Sequence, residues 1–173
     1  MFLMESLMSS ISQCDGQYKK GYISHENMLI QAFEDCTCKT RYKKIVLYDD
    51  AGGPAKFSIE NRMESPLNIY VTRIDKCIKI IDNEQKCDFI ICYKYNENDI
   101  MNVYYIELKG KDHKHGCAQL LSTIDLFKDI HQKYIRQCFL VSSVNVPTSF
   151  MQKNQKLFER KGCRLRTEKS ISL

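Results

Sequence analysis

Segments rich in apolar, β-branched and aromatic residues predict a β-sheet in the middle of this chain. Residues 68–81, 87–95 and 103–109 are rich in β-branched and aromatic side chains, and polar turns at 82–85 and 96–99 separate them. Segments of this length joined by short turns are typical of neighbouring antiparallel strands. We therefore predict a three-stranded meander.

The hydrophobic spacing changes after the meander and becomes helical. From residue 117 onward, apolar residues recur every three or four positions, which predicts an amphipathic helix that packs on the sheet. The residues on this face are Cys117, Leu120, Leu121, Ile124, Phe127 and Tyr134. The short apolar run at 138–141 predicts a strand buried on both faces, which the helix joins to the meander as a crossover.

Two further helices and a hairpin complete the pattern. Residues 24–36 and 149–161 have helical signatures, and Gly162 is placed to close the second helix. Residues 44–60 predict a hairpin with its turn at 49–54. The order of helix, strands, helix, strand and helix predicts the α/β class, as a sandwich with a mixed sheet.

A chain of 173 residues fits one domain and is short for two. We divide this single domain into an N-terminal helix and hairpin (1–65), a core that carries the candidate chemistry (66–145), and a C-terminal helix and tail (146–173). Hydrophobic residues make up 43% of the chain and charged residues 27%. This composition argues against a disordered protein and against a membrane protein.

The N-terminal stretch and the cysteines favour a cytoplasmic location. The first residues lack a basic leader and carry Glu5 within their apolar stretch, which argues against a secretory signal. The nine cysteines are an odd number, so we expect reduced, mostly buried thiols rather than a disulfide framework.

The net charge of +5 favours polyanionic partners only weakly, but a local cluster of basic residues is more informative. This cluster follows the last strand of the meander and consists of Lys109, Lys111, His113, Lys114 and His115. Contact with nucleic-acid phosphates is one interpretation of it, and a solvated turn is the other.

Glu107 and Lys109 are the candidate catalytic pair. They are two residues apart on a predicted strand, so both side chains leave the same face, roughly 7 Å apart. Leu108 between them points into the opposite layer, with its carbonyl near the same cleft. Asp88 begins the adjacent strand, and a short antiparallel turn brings it opposite Glu107. Two carboxylates and a carbonyl oxygen suit Mg²⁺ or Mn²⁺ better than zinc.

A Glu-x-Lys pair on a strand often marks only a solvated face, and the surrounding sequence favours a site here. The strand is otherwise strongly apolar, and Gly110 and the basic cluster follow it. These residues resemble the motif of the PD-(D/E)xK nucleases, the restriction-endonuclease-like superfamily. The matching segments are KCDFIICYKY, YYIELKG and the helix GCAQLLSTIDLF, and the resemblance covers about residues 68–145.

The resemblance implies a fold, a cofactor and three residue roles. The fold is a three-layer sandwich with a mixed central sheet flanked by helices. Asp88 and Glu107 would bind Mg²⁺, for which Mn²⁺ can substitute, and Lys109 would be catalytic. Family members often carry an acid on the first helix, for which Glu26 is the candidate and Glu34 the reserve.

Two more residues are candidates, and one position departs from the family pattern. Some nucleases of this superfamily place a glutamine near the start of the helix after the catalytic strand, and Gln119 is in that region. Asp75 is either a further ligand or a turn acid. Cys87 stands where the family has proline, at a position that does no chemistry.

The resemblance implies a divalent-metal-dependent endonuclease, with DNA as the leading substrate and no membrane partner. Restriction, defence and mobile-element contexts are all compatible with it. Cutting both strands of a duplex would favour a homodimer. The alternatives are an RNase, a repair or junction nuclease on the same fold, and a non-catalytic nucleic-acid-binding protein.

Overall fold

The computed structural model describes residues 37–48, 54–65, 67–75 and 85–173. The predicted helix over 24–36, and Glu26 and Glu34 within it, lie outside these residues.

The predicted meander forms the middle of a six-stranded sheet. Strands β4 (Ile69–Arg73), β5 (Phe89–Tyr93) and β6 (Asn102–Lys109) pair with one another in antiparallel register. Every residue of β5, and all of β6 except its last, is buried. Both faces of each of these two strands are therefore buried, as their nearly continuous apolar sequences require.

The helical segment forms the predicted crossover, although it begins earlier than its apolar pattern indicates. Helix α1 (His113–Leu126) is followed by the single turn α2 (Lys128–His131) and by strand β7 (Ile135–Ser142), which pairs in parallel with β6. The side chain of Asp112 caps α1 by accepting a hydrogen bond from the amide of His115.

A second crossover extends the sheet. Helix α3 (Thr148–Arg160) leads into strand β8 (Arg164–Arg166), which pairs in parallel with β7. Gly162 lies just after the helix with a φ of 69°, the left-handed conformation that glycine adopts readily at such positions. The predicted role of Gly162 is therefore confirmed.

The other strands are β1 (Thr37–Thr40), the hairpin of β2 (Lys44–Tyr48) and β3 (Lys56–Glu60), and β9 (Ser170–Ser172). The central sheet has the order β1-β4-β5-β6-β7-β8, and a second sheet has the order β2-β3-β9. The hairpin was predicted, whereas β1, β8 and β9 were not. The segment predicted as a C-terminal tail thus contributes a strand to each sheet.

Two hydrophobic clusters lie between three layers, which are the helices, the central sheet and the small sheet. One lies between the central sheet and the helices and includes Leu120, Ile124 and Phe158. The other lies between the central sheet and the small sheet and includes Ile45, Phe57 and Phe139. The α/β class with a mixed sheet is therefore confirmed. Helices were expected on both faces, but in the described ranges the small sheet covers the second face.

Five of the described cysteines are free and buried, as expected from the odd number of cysteines. They are Cys87, Cys92, Cys117, Cys138 and Cys163. Burial raises the pKa of the Cys92 and Cys117 thiols to about 12, which keeps both protonated. Within the described part of the chain, no helix is long and apolar enough to cross a membrane.

Candidate active site

The candidate site lies where four strands of the central sheet begin or end. This side of the sheet, formed by strand termini and not by an outermost strand, is called the edge below. Strands β6 and β7 run parallel, and Lys109 near the end of β6 is in register with Ser142 at the end of β7. Because β5 runs antiparallel to β6, its start meets the end of β6. Strand β4 ends there too, and just beyond it the amide of Ile74 donates to the carbonyl of Asp88 at 2.9 Å.

Asp88 is held against strand β6 by a hydrogen bond from the backbone to its side chain. Its Oδ2 accepts from the amide of Leu108 at 2.7 Å, so the predicted pairing of Asp88 with the Glu107 end of β6 is present. The Leu108 side chain is buried in the opposite layer, as predicted. Since the amide and carbonyl of a strand residue point to the same side, the Leu108 carbonyl faces the side of Asp88.

Glu107 and Lys109 form a close ion pair at this edge. The Nζ of Lys109 lies 2.8 Å from Oε1 of Glu107, and the Glu107 side chain is 0% exposed. Among the residues that the structure describes, Oε2 of Glu107 has no hydrogen-bond partner. A buried carboxylate oxygen without a donor is costly, so this atom is a vacant acceptor position for a cation.

The electrostatic environment of Glu107 opposes its ionisation. Burial and, after it, the charge of Asp88 raise the pKa of Glu107, whereas Lys109 lowers it, and the net result is a pKa of about 8. Asp75 also raises this pKa, although by less than the other three influences. The site therefore carries more carboxylate than Lys109 alone can stabilise, which is typical of a cation site.

Asp75 lies at this same edge. The sequence alone is compatible with either of two roles for it, a further metal ligand or a turn acid. It follows Ile74, whose amide bonds to Asp88, and its charge acts on Glu107. The signal for this placement was available in the sequence. In a meander, the end of one strand and the end of the strand after next lie at the same edge of the sheet.

Gln119 supports the site through the backbone that carries Asp88. It lies near the end of the second turn of α1, later in the helix than predicted, and its Nε2 donates to the carbonyl of Lys86 at 2.8 Å. The hydroxyl of Thr123 accepts from the amide of Cys87 and donates to the carbonyl of Gln119, both at 2.8 Å. Gln119 and Thr123 thus fix residues 86–88. The sequence gives no signal for this role of Thr123, because a threonine at this position of a helix is ordinary.

Gly116 allows helix α1 to approach strands β6 and β7 closely. A β-carbon at this position would lie 2.6 Å from Cδ1 of Leu140, 2.9 Å from Cγ of Lys109 and 3.3 Å from Cγ of Glu107. The first two distances are shorter than van der Waals contact. The helix therefore covers the side chains of Glu107 and Lys109, and a larger residue would displace them.

The basic cluster consists of Lys109, which is paired with Glu107, a second anchored residue, and three exposed ones. The Nε2 of His113 lies 2.9 Å from Oγ of Ser142, and that hydroxyl donates to the carbonyl of Gly110. His113 therefore helps to hold the turn after β6. The remaining members are exposed, namely Lys111 in that turn and Lys114 and His115 in the first turn of α1.

The donor set at this edge fits a hard divalent cation. It combines the carboxylates of Asp88 and Glu107 with the Leu108 carbonyl, all of them oxygen donors. In the described ranges, no group of three or more histidine, cysteine, aspartate or glutamate side chains is arranged to hold a metal ion. Glu26, predicted as a further ligand, lies outside those ranges.

Comparison with known proteins identifies no relative. No protein-family model matches the chain, and no curated protein or solved structure matches it at a significant level. The likeness to PD-(D/E)xK nucleases therefore depends on the motif residues and the geometry in which they lie.

Replacing Glu107 with glutamine should stabilise the metal-free protein at alkaline pH. Because the folded-state pKa is about 8, against an ordinary value of 4.5, the wild-type protein loses stability as the pH rises through that window. Glu107→Gln should match the wild-type protein at pH 5 and exceed it at pH 9 by a few kcal/mol, to order of magnitude. Thermal unfolding in EDTA measures the difference. Glu97→Gln, at an exposed turn residue, is the control, and a Glu107→Gln advantage that is independent of pH would contradict the expectation.

Replacing Gly116 with alanine should destabilise the protein and disturb the ion pair beneath it. Overpacking costs about 1–3 kcal/mol, and the better helix propensity of alanine offsets about 1 kcal/mol of that. We expect a net loss of up to about 2 kcal/mol in chemical denaturation. The control is Ser122→Ala, at a half-buried position of the same helix. Equal stability of the two variants would show that α1 does not press on β6.

Proposed function

We propose that this protein is a divalent-metal-dependent endonuclease of the PD-(D/E)xK type that hydrolyses phosphodiester bonds in DNA. The observation that carries the proposal is the arrangement of Glu107, which is fully buried, beside Asp88 and in contact with Lys109. A buried carboxylate at a sheet edge, next to a second carboxylate and a lysine, is an expensive arrangement for a protein that only needs to be stable.

Asp88, Glu107 and the Leu108 carbonyl would hold Mg²⁺ or Mn²⁺. When bound there, the metal would supply Lewis-acid stabilisation of the phosphate and a more acidic water. Its positive charge would also favour the ionised form of Glu107, which burial opposes. The vacant Oε2 of Glu107 supports this assignment.

Lys109 has the position of the catalytic base or charge stabiliser. Its side chain is 23% exposed, whereas that of Glu107 is 0% exposed, so Lys109 lies between the buried carboxylate and solvent. A phosphodiester approaching from solvent would meet the ammonium group first. From there Lys109 can orient the attacking water or stabilise the charge that develops on the phosphate oxygens.

The exposed basic residues next to this edge would contact the nucleic-acid backbone. Lys111, Lys114 and His115 are exposed, and they lie close in sequence to Lys109. Cationic side chains in this position would fix the phosphate backbone over the site without reading the bases. His113 would assist by holding the Gly110 turn through Ser142.

DNA is the substrate that we propose, and a homodimer is the assembly that would place two such sites on the two strands of a duplex. The catalytic residues contact only phosphate. Cleavage assays should therefore include plasmid DNA, linear duplex DNA, single-stranded DNA and RNA, each with Mg²⁺ and with EDTA. Metal-dependent cleavage of RNA alone would replace DNA as the substrate within the same chemistry.

Replacing Lys109 with alanine should abolish cleavage while the fold is kept. General acid–base or charge stabilisation by one such group contributes about 10²–10⁴-fold, so we expect at least a hundredfold loss of rate. Circular dichroism and DNA binding in EDTA should remain close to the wild-type values. Lys56→Ala, at an exposed position of β3, is the control and should cleave normally.

Replacing Asp88 with asparagine should lower cleavage and raise the Mg²⁺ concentration that half-saturates the reaction. The reason is that one carboxylate of the metal site is lost while the hydrogen bond from Leu108 can persist. Undiminished activity of either the Lys109 or the Asp88 variant would refute the assigned site. Absence of cleavage and of Mn²⁺ binding in the wild-type protein would favour a non-catalytic nucleic-acid-binding protein.

Neutralising the exposed cluster should weaken DNA binding and its salt dependence. Lys111→Gln/Lys114→Gln removes two cations, and each phosphate contact adds about 0.9 to the slope of log affinity against log salt on duplex DNA. We expect the slope to decrease in magnitude by about 2, measured by fluorescence anisotropy in EDTA. Lys44→Gln/Lys56→Gln in the small sheet has the same charge change and should keep the wild-type slope. Identical slopes for the two variants would remove the cluster from the interface.

A further inference from the structure

A cationic cleft lies at the opposite ends of the central strands from the candidate active site. Its cavity has a volume of about 420 Å³ and is bounded by the end of α1, α2, the start of β7 and the end of α3. The lining residues are Ile124, Asp125, Lys128, Gln132, Arg136, Arg160, Lys161 and Gly162. Ser142 follows Arg136 by six positions along β7, so the cleft lies roughly 20 Å from the candidate active site.

The charges around this cleft are unbalanced. Four cationic side chains line it, against the single carboxylate of Asp125. That carboxylate is already engaged, because Nζ of Lys161 lies 2.5 Å from its Oδ1. Within the described ranges, Lys128, Arg136 and Arg160 make no ion pair. Three uncompensated cations around one cavity repel one another, and a bound anion would relieve the repulsion.

Arg136 is the residue around which the cleft is built. Its Nε is buried and has no hydrogen-bond partner among the described residues, which leaves a guanidinium donor unsatisfied. The neighbouring His131 is neutral, because burial and the charge of Arg136 lower its pKa to about 3. The guanidinium of Arg136 therefore lines the cleft with its hydrogen-bonding capacity not fully used by the described residues.

Gly162 shapes the cleft for this guanidinium. A β-carbon at position 162 would lie 2.6 Å from Nη2 of Arg136, so any larger residue would displace the arginine. The positive φ of Gly162 reinforces the requirement for glycine. The residue that ends α3 thus also makes room for the cation in the cleft.

We propose that this cleft is a binding site for a phosphate-bearing ligand, separate from the candidate active site. Arginine guanidinium groups bind phosphate through paired N–H donors, and the flanking lysines add charge. The volume is in the range of sites for small molecules, and the lining has Ile124 as its one aliphatic side chain, so the ligand is recognised by its phosphates. This phosphate is either free in a small ligand or part of a nucleic-acid backbone.

The test compares two probes on the full-length protein in EDTA at constant ionic strength. One probe is sodium tripolyphosphate, followed by isothermal titration calorimetry, and the other is a 12-nucleotide single-stranded DNA, followed by fluorescence anisotropy. Lys128→Gln/Arg160→Gln neutralises two exposed residues of the cleft and should leave the fold intact. Lys44→Gln/Lys56→Gln, in the small sheet, is the matched control for charge.

We expect the cleft variant to bind tripolyphosphate at least tenfold more weakly than the control variant. Weaker binding of the oligonucleotide alone would also support the site and would identify a backbone phosphate as its ligand. Equal affinity of the cleft and control variants for both probes would overturn the proposal. Because every readout is binding in EDTA, the result is independent of whether the protein cleaves nucleic acid.

Discussion

Ionisation of Glu107 inside the protein requires positive charge close to it, and much of the surrounding architecture serves that requirement. Lys109 supplies a cation at 2.8 Å, on the same face of the same strand. Asp88 is fixed beside the pair by the Leu108 amide and adds negative charge that one lysine cannot offset. The close approach of α1 at Gly116 covers the pair. Exclusion of water strengthens each of these interactions and makes the carboxylate responsive to any further cation.

The central part of this arrangement could be predicted from the sequence because it depends on local rules. Strand alternation alone places Glu107 and Lys109 on one face and Leu108 on the other. The short turn between β5 and β6 fixes their pairing, and with it the position of Asp88. A single apolar run was enough to predict β7, because parallel strands inside a sandwich are buried on both faces.

The rest depends on contacts between residues that are distant in the sequence. The β8 segment RLR and the β9 segment SIS have no strand signature of their own, and they become strands because β7 and β3 offer unpaired edges. The start of α1 was placed too late because its first residues are polar and glycine, and the capping side chain of Asp112 outweighs the missing apolar pattern. The hydrogen bonds of Gln119 and Thr123 to residues 86 and 87 depend on how the helix packs on the sheet, which periodicity does not specify.

The pairing of β9 with β3 has a consequence for biosynthesis. Residues 170–172 complete a sheet whose other strands lie more than a hundred positions earlier in the chain. During translation, the hairpin of β2 and β3 therefore leaves the ribosome long before the third strand of this sheet is made. Until then, Ile59 of β3 has no Ile171 to pair with. Contacts of such long range close slowly, and an unpaired strand edge is exposed meanwhile. The nascent chain would then be prone to aggregation until β9 is made, which is the stage at which a chaperone would help it most.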